Sequence, residues 1–236
     1  MRKEVVTVGD YVHVYNRGNR KQAIVRKNCD RWRFLQMLYY FNTLIAVANP
    51  FRRLEKKLGI AFNKNLIWPG YWPSQKPIVT ILAFSLMENH FHLFLKEIVK
   101  GGVVLFMRKL GTGMAAYFNS KYQEPGRLFQ GPYKAKTIHT DEYLRYLSVY
   151  IQVKNPFELY PKGFRNAIKN FDQAYQWVVK YPYCSLANYA GEINSPIIDK
   201  DILREMFPSS QKYKKFARDC IFSINLREKL GMLTID

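Results

Sequence analysis

Two periodicities alternate along the first two-thirds of the chain. Tyr11-Val-His-Val-Tyr15 alternates as a strand does and ends at Asn-Arg-Gly-Asn, a turn. Asn28 can cap a helix from about Asp30 to Val47, in which Trp32, Leu35, Leu38, Tyr39 and Phe41 follow helical spacing. Residues 49–77 are basic and rich in Pro and Trp, and read as a long loop or insertion with a short strand. Residues 77–86 and 90–98 form a hairpin with Met-Glu-Asn in its bend. A helix follows over about 103–122, interrupted by Gly111 and Gly113, which leave room for a bend. Tyr133 to Ile138 is a further strand, and Asp141 can cap a helix that Asn155-Pro156 closes.

Strand–helix–strand–strand–helix–strand is the order of a ferredoxin-like α+β layer, an antiparallel sheet with helices on one face. Beyond Pro161 the pattern turns helical and more basic, around 164–180, 199–206 and 211–230. A boundary near residue 160 would separate a domain of residues 1–160 from a basic helical extension, 161–236. No internal repeat is visible.

Within the hairpin, His90-Phe91-His92 changes the picture. Alternation puts His90, His92 and Phe94 on one face of the second strand and Phe91, Leu93 and Leu95 on the other. The two imidazoles then lie about 7 Å apart along the backbone, close enough for both to reach one ion. Without other support, a pair of packing or surface histidines explains them equally well.

Charge narrows the partners. Lys and Arg number 37 against 18 Asp and Glu, a formal net charge of +19, which suits a polyanion. Aromatic residues make up 16% of the chain; most belong in a core, and any exposed ones mixed with cations suit single-stranded or hairpin nucleic acid. No signal-peptide run, membrane-spanning stretch or lysine-rich amphipathic anchor stands out, so a membrane partner is not expected. Cys29, Cys184 and Cys220 are scattered without metal-site spacing, in keeping with a reduced, cytoplasmic location.

The helix from Asp141 to Pro156 carries Tyr143, Tyr146 and Tyr150 within one narrow arc. Tyr143 and Tyr146 read as the aromatic edge of a packed face. Tyr150 differs because Asn155-Pro156 follows it. With His-hydrophobic-His on a strand and Tyr-Ile before Asn-Pro on a later helix, the chain resembles the single-tyrosine HUH transposases, and in particular the REP-associated tyrosine transposases. Tyr11-Val-His-Val-Tyr-Asn-Arg-Gly-Asn19, Ser85-Leu-Met-Glu-Asn-His-Phe-His92, Tyr117-Phe-Asn119 and Leu128-Phe-Gln-Gly-Pro-Tyr-Lys-Ala135 support the resemblance, which spans roughly residues 8–160.

The resemblance implies that His90 and His92 bind Mg²⁺ or Mn²⁺. It implies that Tyr150 attacks a phosphodiester of single-stranded DNA beside a hairpin, leaving a 5′-phosphotyrosine and a free 3′-OH. The relatives complete the metal site with Gln or Asn four residues after the tyrosine. Here that position is Lys154, and Asn155 comes one residue later. In an unbroken α-helix Asn155 would point about 140° away from Tyr150; a looser final turn or a π-bulge would restore it as third ligand. Gln152 is the weaker candidate. Arg17, Arg20, Lys21, Lys134 and Lys136 are the expected DNA contacts, though each alone is more simply a solvated side chain. His13 and His139 read as structural or DNA-contact residues.

Two other functions fit: a hairpin-binding protein of this fold without catalysis, and a metal-dependent phosphodiesterase that uses water. A homodimer stays open.

Overall fold

The computed structural model describes residues 5–45, 47, 50–52, 54 and 66–223. Four strands, β1 (Tyr11–Arg17), β2 (Val79–Leu86), β3 (His90–Glu97) and β4 (Lys134–Ile138), form one sheet in the order β2-β3-β1-β4. Every pairing is antiparallel. With α1 (Asn28–Tyr40) between β1 and β2, and α2 (Gly102–Tyr122) between β3 and β4, this is the expected ferredoxin-like α+β sheet.

Alternation sorts the two faces. Val12 and Val14 of β1 and Phe91, Leu93 and Leu95 of β3 join Phe34, Leu38, Phe106 and Leu110 in one apolar cluster under α1 and α2. The opposite face has its own cover. Leu82, Ala83 and Phe94 pack there with α3 (Asp141–Val149), and with helices from beyond residue 160: α4 (Gly163–Lys169), α5 (Phe171–Val179), α6 (Leu186–Ala190), α7 (Ile202–Met206) and α8 (Ser210–Phe222). The boundary expected near residue 160 therefore falls inside a continuous core. The same segment closes the β2 edge, where Leu86 N–H donates to the Tyr183 carbonyl at 2.9 Å and Ser185 N–H to that of Phe84 at 3.0 Å.

Several boundaries differ from expectation for local reasons. Helix α1 stops at Tyr40 rather than Val47, and Asn28 lies within it. Past that end, the Asn42 side chain accepts from Ile78 and Val79 N–H and donates to the Val79 carbonyl, imitating a strand neighbour. At its start, the Asp30 carboxylate accepts from Arg26 and Lys27 N–H, both at 2.8 Å. Helix α2 runs unbroken through both glycines. Gly113 serves close packing, since a Cβ there would meet the Phe41 ring at 2.5 Å. Buried Glu97 of β3 accepts from Gly101 and Val103 N–H at the start of α2. Among the described residues of 49–77, 50–52 and 54 are helical and 66–77 hold no strand; 49, 53 and 55–65 lie outside the described residues. So do 224–236, the end of the last expected helix.

Candidate metal-and-tyrosine site

The site is built on the sheet face opposite α1 and α2. His90 and His92 project from β3, and His13 and Tyr15 from β1, where Tyr15 lies across from His92 and Arg17 across from His90. Lys134 and Lys136 of β4 sit opposite Tyr15 and His13, so they share this face.

Helix α3 starts on Thr140, whose hydroxyl accepts from Tyr143 N–H at 3.3 Å; Asp141 is its first residue rather than its cap. It passes directly into a π-turn over Tyr150–Lys154, in which Asn155 N–H donates to the Tyr150 carbonyl. The wider turn absorbs one extra residue, so Asn155 follows Tyr150 by a full turn, as the loosened helix would require. The helix does not end at Asn155-Pro156 but continues to Phe157. A proline in regular α-helix clashes with the carbonyl four residues back, and the π-turn has already displaced that carbonyl.

Tyr150 is thereby brought to the histidines. Its ring centre lies 5.4 Å from that of His92 and 6.2 Å from that of His13, edge to face in both cases. It is 4% exposed. The Lys154 ammonium sits 5.3 Å from the same ring centre and pairs with Glu158 at 2.5 Å. Tyr143 lies under Lys136, and burial first, then Tyr15, pushes its hydroxyl up to about 12, a poor starting point for a nucleophile. Tyr146 packs on Phe216 of α8.

Each imidazole is held uncharged at neutral pH. Burial, then Arg17, lowers His90 to about 4; burial, then Lys136, lowers His13 to about 3; burial and the neighbouring His13, His90 and Lys154 hold His92 well below the ordinary value. A neutral ring keeps a lone pair for a metal. For His90 the free nitrogen can be named. Asn89 Nδ2 donates to the Lys21 carbonyl, so its Oδ1 faces His90 Nδ1 at 2.7 Å and must accept. His90 therefore carries its proton on Nδ1 and leaves Nε2 bare.

Asn155 is 2% exposed, and its Nδ2 has no hydrogen-bond partner among the described residues. Gln152, by contrast, is spent: Oε1 accepts from Ser185 and Nε2 donates to Tyr213. Among the described residues no three His, Cys, Asp or Glu side chains cluster as a metal site. Any ion would therefore lean on two imidazoles and a carboxamide.

Of the expected DNA contacts, Lys134, Arg20 and Lys21 are exposed and Arg17 and Lys136 half-buried. Arg20 and Lys21 occupy the turn after β1 with positive φ. His139 is exposed and outside this grouping. The residues that sequence reasoning undervalued are His13 and Tyr15. Alternation puts both on one strand face, but the cross-strand register that sets them beside His92 is not written in β1. No helix among the described residues is long and apolar enough to cross a membrane.

A structure described as "Structure of the REP associates tyrosine transposase bound to a REP hairpin" is similar to this chain at 12% identity, over 84% of this chain and 93% of that one, with a TM-score of 0.43. No curated protein matches. Residues 74–154 match the family described as "Transposase IS200 like". The matched stretch holds all of β2, β3, α2 and β4, the histidine pair and Tyr150, and stops one residue short of Asn155.

Proposed function

We propose that the protein is a metal-dependent tyrosine transposase that nicks and rejoins single-stranded DNA at hairpin-flanked sites. The observation that carries this reading is the meeting of Tyr150 with the imidazole pair, the rings of Tyr150 and His92 being 5.4 Å apart. His90 Nε2, His92 and the Asn155 carboxamide would hold Mg²⁺ or Mn²⁺. The bound ion would supply charge neutralisation at a non-bridging phosphate oxygen.

Tyr150 Oη would attack phosphorus as its proton leaves for solvent. The new P–Oη bond replaces the bond to the 3′ oxygen, which takes up a proton from solvent and departs as a free 3′-OH, leaving a 5′-phosphotyrosine. The Lys154 ammonium, 5.3 Å from the ring centre, would be a cation near the developing phenolate. A phenolate is also a better leaving group than an alkoxide, so a 3′-OH from another strand could reverse the step without ATP. Arg17, Arg20, Lys21, Lys134 and Lys136 would take phosphates along the approach.

A second reading, a hairpin-binding protein without cleavage, is favoured by the burial of Tyr150. Incubation with labelled single-stranded hairpin DNA and Mn²⁺ separates the two. A denaturation-resistant protein–DNA adduct that disappears in Tyr150→Phe, with DNA binding retained, supports the transposase. An adduct that survives the substitution removes Tyr150 from its role. Binding without adduct in the unaltered protein establishes the second reading, and cleavage without adduct points to hydrolysis by water.

A further inference from the structure

The metal role proposed for His92 needs Nε2 bare, because Nδ1 is already engaged: it lies 2.9 Å from Nε2 of His13. One proton lies between these two nitrogens, and its position decides what His92 can do. If His13 donates, His92 keeps its own proton on Nε2 and cannot ligate. If His92 donates from Nδ1, its Nε2 is free.

The surroundings hold this pair firmly. The two rings are within 12° of parallel, with centres 5.1 Å apart, and Tyr15 packs on both at 4.9 and 5.6 Å. His13 is fully buried, and its other nitrogen, Nδ1, has no hydrogen-bond partner among the described residues. Nothing else fixes the His13 tautomer, so it can follow whichever form His92 takes.

We propose that His13 is a positioning residue that accepts a hydrogen bond from His92 Nδ1–H and so turns the lone pair of His92 Nε2 toward the metal. This rests on the metal role given to His92 above. On metal binding the relay runs one way: His92 protonated on Nδ1, His13 accepting at Nε2 and carrying its own proton on Nδ1. Without an acceptor at position 13, nothing would hold the proton on His92 Nδ1, and the tautomer protonated on Nε2, which cannot ligate, would compete with the binding form.

Two measurements test this. The first reads the imidazole ¹⁵N shifts of the unaltered protein during Mg²⁺ titration. His92 should show a protonated Nδ1 and a coordinated Nε2, and His13 a bare Nε2; a protonated His13 Nε2 in the loaded state overturns the proposal. This reading decides the matter even where variants unfold. The second is Mn²⁺ affinity by electron paramagnetic resonance. His13→Phe should weaken binding about 10–100-fold, and His13→Gln, which restores an acceptor, should recover most of the loss. Unchanged affinity in a folded His13→Phe overturns the proposal while leaving His90 and His92 as ligands. If the unaltered protein binds no Mn²⁺, the metal reading itself fails, and this inference with it.

Discussion

His90, His92 and His13 combine burial with lone-pair chemistry, and that combination has a measurable cost in acid. Their folded values lie below the ordinary imidazole value of 6.5, at about 4 for His90 and about 3 for His13. As pH falls the unfolded chain therefore takes up protons first. Stability is full above about pH 6.5 and drains away as pH drops toward 4. Melting in chelator should accordingly occur at lower temperature near about pH 4.5 than near about pH 7.5, and His90→Asn should flatten the dependence. A melting temperature level across that range would show that the rings already titrate freely in the fold.

Among the elements, the π-turn and the α1–α2 pairing have most to reveal. A π-turn accommodates one extra residue without moving either flank. Deleting Lys154 should therefore convert Tyr150–Asn155 to regular α-helix, with the asparagine four residues after the tyrosine as in the family the chain resembles. Mn²⁺ affinity should be kept and the melting temperature should rise; loss of binding in a folded deletion variant would mean that Asn155 is not a ligand. At α1, burial alone would raise the Asp30 carboxyl, but hydrogen bonds from Lys121, Tyr122 and the Lys27 and Arg26 N–H outweigh it and hold it well below the usual range. Tyr117 of α2 also donates to it, at 3.0 Å. Asp30→Asn should cost about 1–3 kcal/mol in denaturant unfolding at neutral pH. Because the folded carboxyl is depressed, that difference should be present above about pH 3.9 and shrink below it. Equal stability of the two proteins at pH 7 would remove Asp30 as the tie between these helices.

For the molecule as a whole, a net charge of +19 makes phosphate contact the largest contribution to any DNA affinity. Each phosphate neutralised on a single strand should add about −0.7 to the slope of log K against log salt. Replacing Lys134 and Lys136 together with Ala should then flatten that slope by about 1.4 and weaken binding similarly for all sequences. An unchanged slope would exclude these two lysines from the DNA path, leaving Arg17, Arg20 and Lys21 to carry it. The continuous core across residue 160 bears on such work, because α8 packs on the same cluster as Tyr150. Removing the segment after 160 would strip the cover from the candidate site.

Local pattern determined much here on its own. Alternation and helical spacing, with turn residues between them, dictated the strand–helix–strand–strand–helix–strand order, the two faces of β3 and the pairing of His90 with His92, because these depend on neighbours within a few positions. Counting residues from Tyr150 to Asn155 even exposed the need for a widened turn. Tertiary structure alone decided the rest. The partner of His92 is His13, 79 residues away, and cross-strand register sets that contact. The helix through Pro156 stays intact because the π-turn and the core around Phe157 hold it. The far face of the sheet is closed by helices whose own periodicity says only that they bury something. Contacts between distant segments depend on how whole elements dock, and no window of sequence encodes them singly.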